Sequence, residues 1–147
     1  MSKQFFTKAE QDKLIEAIQQ AELNTSGEIR VHVEPKCSVN PEDRAKEVFS
    51  QLGMHETELK NGVLVYLAYE SRVFAIIGDK GIHEKVSNTF WDAERDTMKT
   101  YFSKQDYLNG IQVVIKDVGS KLKQHFPFQS DDTNELSNEI SFGGEQQ

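Results

Sequence analysis

The sequence predicts an α/β domain in which a mixed sheet of about four strands lies between layers of helices. Three observations predict it. Segments of helical periodicity alternate with strand-like segments along the chain. Two strand-like runs, residues 63–69 and 72–77, are separated only by Glu70 and Ser71, the spacing of a hairpin. A further strand-like run, residues 28–34, is parted from that hairpin by a helical segment, which is what a parallel crossover requires.

The first helix starts after Thr7, because Thr7 and Glu10 stand at capping-box spacing and Leu14, Ile15, Ile18 and Ala21 recur at helical intervals. Asn24, Thr25, Ser26 and Gly27 end it. Residues 28–34 then alternate strictly, with Ile29, Val31 and Val33 on one face and Glu28, Arg30, His32 and Glu34 on the other. This predicts a strand with an apolar and a polar face, closed by Pro35. Asn40 as cap and Pro41 at the first position open a second helix, carried by Ala45, Val48, Phe49 and Leu52 and stopped at Gly53. Residues 54–60 read as a polar connection. The run from Val63 does not alternate, as expected of a strand covered on both faces.

Residues 78–81 break the strand pattern. Ser87 or Asn88 caps a third helix containing Phe90, Trp91, Met98 and Tyr101, with Phe90 and Trp91 read as core. Leu108, Ile111, Val114, Ile115, Val118 and Leu122 mark a fourth, which Pro127 ends. Residues 1–128 form the domain. Residues 129–147 carry five acidic and no basic side chains, so −5 of the net charge of −7 sits in 19 of 147 residues. Leu136, Ile140 and Phe142 can pin part of this segment to the domain, with a short edge strand over residues 139–142.

Composition excludes several functions. No run approaches the roughly 18–20 apolar residues of a membrane-spanning helix, and the first residues lack a signal-peptide core, so no membrane partner and a cytoplasmic location are expected. Seventeen basic against 24 acidic residues argue against nucleic-acid binding. The lone Cys37 precludes an internal disulfide and a multi-cysteine zinc site. Six residues, none of them glycine, separate Cys37 from Arg44, which does not match a cysteine-phosphatase loop. Neither common nucleotide loop and no G-x-S-x-G elbow occurs. His32, His55, His83 and His125 never stand at i, i+3 or i, i+4; His32 reads as a surface or hydrogen-bonded residue, and only His83, beside the 78–81 loop, remains a candidate.

Oxygen chemistry remains. If the strands from Glu28 and Asn61 run parallel, their starts share one sheet edge, and the returning hairpin strand brings Asp79 to the same place. Glu28, Asn61 and Asp79 then converge. Carboxylate and amide oxygens are ligands for Ca²⁺, Mg²⁺ or Mn²⁺, and Asp131, Asp132, Asn134 and Glu135 form a second source of them, without the spacing or central glycine of an EF-hand. Each residue also has a structural reading: Glu28 as a solvated strand end, Asn61 before Gly62 as a turn residue.

At Thr25-Ser26-Gly27-Glu28-Ile29-Arg30-Val31, Asn61-Gly62-Val63-Leu64-Val65 and Arg72-Val73-Phe74-Ala75-Ile76-Ile77-Gly78-Asp79-Lys80-Gly81-Ile82, the sequence resembles the TPM domain family, named partly for a thylakoid-lumen phosphatase. The segment Asp131-Asp132-x-Asn134-Glu135-Leu136 looks like the ending of stand-alone bacterial members. The resemblance, over about residues 5–125, implies a three-layer, Rossmann-like α/β/α sandwich. It also implies divalent-metal binding or hydrolysis of phosphate esters or nucleotides. The family's recurrent positions match Glu28, Asn61, Arg72, Gly78 and Gly81. Two departures stand out: Phe5 and Phe6 where paired aspartates are typical, and two residues, Asp79 and Lys80, between loop glycines often separated by one. Both are expected to touch the pocket.

Three functions follow as expectations: a metal-binding domain with Glu28, Asn61, Asp79, Asp131, Asp132, Asn134 and Glu135 as ligands; a metal-dependent phosphohydrolase with Arg72 and Lys80 as phosphate-binding cations; and a protein-interaction module. The expected partners are metal ions and a phosphate-containing small molecule, and the expected state is a monomer.

Overall fold

The computed structural model describes residues 5–128 and 138–143. The elements in order are α1 (Lys8–Glu22), β1 (Glu28–Glu34), α2 (Pro41–Gln51), β2 (Gly62–Ala68), β3 (Val73–Gly78), α3 (Lys80–His83), α4 (Asn88–Ser103), α5 (Tyr107–His125) and β4 (Ser141–Phe142). The sheet runs β3-β2-β1-β4, with β1 parallel to β2 and β4, and β2 antiparallel to β3. It is the mixed, four-stranded sheet expected. The sandwich has three layers: α1, α4 and α5 pack on the face of Ile29, Val31, Val33, Val63, Val65 and Leu67. Ala45, Val48, Phe49 and Met54 cover the opposite face through Leu64, Tyr66, Ala68 and Ala75.

Local signals act as the sequence requires. Thr7 Oγ1 accepts from Glu10 N at 3.1 Å and Thr7 N donates to Glu10 Oε1 at 2.9 Å, a complete capping box. Asn40 Oδ1 accepts from the N–H groups of Glu42 and Asp43. Ser87 is the cap of α4, without a side-chain bond. Every residue of β2 is buried. Two short elements were not predicted. A 3-10 turn, Met54–Glu56, anchors the supposed polar connection through buried Met54, and α3 forms one turn after Asp79, whose carboxylate accepts from Lys80 N.

The polar face of β1 departs most from expectation. Glu28, His32 and Glu34 are buried; Arg44 of α2 reaches over Glu34, and β4 pairs along the strand's outer edge at His32 and Val33. Glu34 is satisfied by a dense set of partners. Arg44 of α2 donates to both carboxylate oxygens at 2.8 Å, Tyr66 donates its hydroxyl, and His32 Nε2 lies 3.1 Å away. His32 Nδ1 in turn meets Ser141 Oγ of β4 at 2.9 Å. Burial opposes ionisation of Glu34, but the hydrogen bonds from Arg44, His32 and Tyr66 outweigh it and hold the carboxyl well below the usual range. Past β4 the chain crosses this cluster at Gly143, where a Cβ would stand 2.7 Å from Glu34 Oε1. A side chain there would have to displace Glu34 or His32 from this network.

A buried carboxylate that loses its only full positive charge is costly. Arg44→Met is expected to destabilise the fold by about 3 kcal/mol at neutral pH, read by urea denaturation. Glu34 has a lowered folded pKa, so its contribution is fully present above its ordinary value of 4.5 and is lost as pH falls below it. The gap between wild type and variant should therefore shrink as pH drops from 6 towards 3. A constant gap would contradict the charged assignment.

Candidate functional site

The strand register delivers the predicted convergence. Glu28 pairs with Gly62 and Val63 with Gly78, so the starts of β1 and β2 and the end of β3 share one edge. Glu28 N donates to Asn61 O at 3.3 Å, and Asp79 N donates to Gly62 O at 2.9 Å. Backbone pairing alone thus fixes Glu28, Asn61 and Asp79 side by side.

The side chains there carry unsatisfied oxygens. Asn61 is 1% exposed; its Nδ2 donates to Ser26 Oγ at 3.3 Å, while its buried Oδ1 has no hydrogen-bond partner. Asp79 uses Oδ1 to cap α3 at 2.7 Å and leaves Oδ2 buried and unpartnered. The Thr57 hydroxyl, in the connection leading into Asn61, is likewise buried without a partner. Buried acceptors of this kind are rare in folded proteins because each forfeits its hydration. Among the described residues Asn61 Oδ1 and Asp79 Oδ2 have no donor to accept from.

Glu22, the last residue of α1, adds a carboxylate that sequence reasoning missed. Burial and the nearby charge of Glu28 push it up to about 7, against a backbone hydrogen bond from Ile29 N at 2.8 Å. No periodicity or motif marks a helix-terminal Glu as partly buried; only the return of β1 beneath α1, with Ile29 N donating to it, makes it so. Ser26 and Thr57 escaped notice for the same reason.

Close backbone approach shapes the edge. A Cβ at Gly81 would lie 2.2 Å from Leu59 O and 2.5 Å from Lys60 O, and Gly81 N donates to Lys60 O at 2.7 Å. At Gly78 a Cβ would meet the Trp91 ring at 2.7 Å. These two glycines therefore hold α3 and Trp91 against the turn that presents Asn61.

The remaining candidates are dispersed. Lys80 lies on the exposed side of α3 and lines a cleft with Lys46, Gly78, His83, Trp91 and Arg95, adjoining Asp79. His83 stacks on Trp91, with centroids 6.4 Å apart. Arg72 sits in the β2–β3 hairpin turn, at the opposite end of the strands, so it cannot share a phosphate with Lys80. Phe5 also lies at that far end, stacked on Tyr69 at 3.9 Å, and Phe6 is in the core; of the two departures, only Asp79 and Lys80 touch the edge. Asp131, Asp132, Asn134 and Glu135 lie outside the described residues. Among the described residues no group of three or more His, Cys, Asp or Glu side chains is disposed to hold a metal ion.

Comparison with known proteins now decides the family, because residues 2–121 match the TPM domain over most of the chain. The chain belongs to the TPM domain family. It is similar to the BA42 protein of the psychrophilic bacterium Bizionia argentinensis, whose NMR structure superposes with a TM-score of 0.87 at 44% identity, covering 95% of this chain and 96% of that one. It shares the fold of the N-terminal domain of cg2496 from Corynebacterium glutamicum, with a TM-score of 0.64 at 19% identity over 80% of this chain and 74% of that one. No curated protein sequence matches it. Within this TPM domain, Glu28, Asn61, Gly78 and Gly81 gather at one sheet edge, and Arg72 stands at the other.

Gly81→Ala is expected to push the turn at residues 59–61 outward and to cost about 2–3 kcal/mol, since the clashing atoms are backbone carbonyls. Urea unfolding measures the loss, and amide shifts at Lys60 and Asn61 should report the displacement.

Proposed function

We propose that this TPM domain binds a divalent cation, calcium for choice, at the sheet edge formed by Glu28, Asn61 and Asp79. The observation that carries the reading is the pair of buried, unpartnered oxygens, Asn61 Oδ1 and Asp79 Oδ2, beside a further carboxylate. An amide oxygen with carboxylate oxygens is a hard donor set, and Ca²⁺ accepts irregular arrangements of six to eight such oxygens, where Mg²⁺ demands an octahedron. These residues do not complete a coordination shell. Asp131, Asp132, Asn134 and Glu135 belong to the same proposal as the additional ligands, since the chain leaves the described region after Phe128, which is bonded to Asn24 near the start of β1, and re-enters at Asn138 before β4. A bound cation would supply positive charge to carboxylates that otherwise repel one another. Mg²⁺ and Mn²⁺ are the competing ions.

A second reading, metal-dependent hydrolysis of phosphate esters or nucleotides, is favoured by one observation. The cleft that contains Gly78 and Lys80, the chain neighbours of Asp79, carries Lys46, Lys80 and His83; Arg95 there is paired with Glu42 and Asp92, and Glu84 also lines it, so Lys46 and Lys80 are the cations left to meet an anion. Lys80 and Lys46 would orient phosphate oxygens by charge. No residue at the edge has the geometry of an activated nucleophile, which ranks this reading second.

The test is calorimetry. At a hundredfold excess of Ca²⁺ over its dissociation constant, binding to the folded chain alone should stabilise it by about 2.7 kcal/mol, and chelator should reverse the rise in Tm. Asp79→Asn keeps the α3 cap and should remove most of the shift. An unchanged melting curve in millimolar Ca²⁺, Mg²⁺ and Mn²⁺ would overturn the proposal. Release of phosphate from para-nitrophenyl phosphate or ADP, dependent on metal and lost in Asp79→Asn, would promote the second reading.

A further inference from the structure

We propose that the opposite end of the sheet holds a separate binding site for a small amphiphilic anion, one aromatic ring with a short carboxylate arm, in the pocket beneath Arg72 and Lys99. This site goes beyond the cation reading and does not depend on it.

The pocket lies where the β2–β3 hairpin meets the end of α4, with a volume of about 170 Å³. Leu67, Phe74, Phe102 and Tyr107 form its apolar wall. The rings hold one another in place: Phe102 is edge-on to Phe74 at 5.3 Å and 5.2 Å from Tyr107, and Phe5 braces Tyr107 at 5.3 Å. A wall fixed in this way is pre-formed and loses little freedom on binding. An apolar cavity of roughly 150 Å³ is enough to take up benzene, so this one accommodates a single ring.

Charge selects the rest of the ligand. Arg72 and Lys99 stand at the mouth, and neither makes an ion pair or hydrogen bond with the described residues. No acidic side chain among the described residues lines the pocket. A chain of net charge −7 repels anions in general, so two unpaired cations over an apolar hollow form a local exception. The guanidinium fork suits a carboxylate in particular.

Backbone conformation points the same way. Arg72 adopts φ +58° and Gln105, also on the rim, φ +59°, in the left-handed region that favours glycine or asparagine. A hairpin turn satisfied by glycine instead carries an arginine, and that arginine is placed over the pocket.

The experiment is a titration of the full chain with 3-phenylpropionate, followed by amide chemical shifts, with 3-phenylpropanol as the neutral control. Shifts should cluster at Arg72, Phe74, Phe102 and Tyr107, leave Asn61 and Asp79 unmoved, and persist in chelator. The alcohol should bind at least tenfold more weakly. Arg72→Asn with Lys99→Gln should weaken the acid about tenfold, asparagine being compatible with the turn. Ser103→Trp, at an exposed position on the rim, should fill the pocket and abolish binding while circular dichroism shows an intact fold. Absent or scattered shifts, equal affinity for acid and alcohol, or undiminished binding by the charge-neutral variant would each overturn the proposal.

Discussion

The parallel pairing of β1 with β2, in the register that sets Glu28 opposite Gly62, is the constraint on which the rest of this TPM domain depends. A parallel neighbour cannot be reached by a turn, so α2 must carry the chain back across the sheet. That crossing brings Arg44 over the end of β1's polar face. Glu34 then needs Arg44, and His32 needs Glu34 and Ser141, so the crossover helix and the last strand are tied to one buried carboxylate. At the other end the same register lays Asn61 beside Glu28, and the antiparallel return of β3 adds Asp79. One pairing thus accounts both for the ion cluster that holds the layers and for the oxygens gathered at the edge.

Much of this was legible in the sequence, and what was not has a physical cause. Caps, periodicities and the hairpin are local, so Thr7, Asn40 and residues 63–77 announced their elements correctly. The convergence of Glu28, Asn61 and Asp79 was legible because it follows from strand direction alone. Burial of β1's polar face was not, since alternation records the chemistry of a face and not what covers it. His32 is hydrogen-bonded, one of its two sequence readings, but its partners Glu34 and Ser141, and Arg44 over Glu34, are set by the fold. Arg72 and Lys80 are both phosphate-binding candidates by sequence, yet a strand lies between them and puts them at opposite ends of the sheet. Phe5 misled in the same way, because α1 runs the length of the sheet and leaves its start at the far end.

The two ends of the strands differ in chemistry. The Glu28 end concentrates carboxylates, including Glu22 with its raised pKa of about 7, and oxygens without a partner among the described residues. The Arg72 end offers rings and free cations over a hollow. Glycine 81 and glycine 78 are structural conditions of the first end, because the turns that present Asn61 and Asp79 could not otherwise approach α3 and Trp91 so closely.

The central claim is that the Glu28, Asn61 and Asp79 edge is a cation site. Paramagnetic relaxation by substoichiometric Mn²⁺ tests it most directly, because broadening falls steeply with distance from the ion. The account predicts that the amides of Glu28, Asn61 and Asp79 broaden first and recover when Ca²⁺ is added in excess. Broadening that is uniform over the surface, or that leaves these three amides sharp, would contradict it.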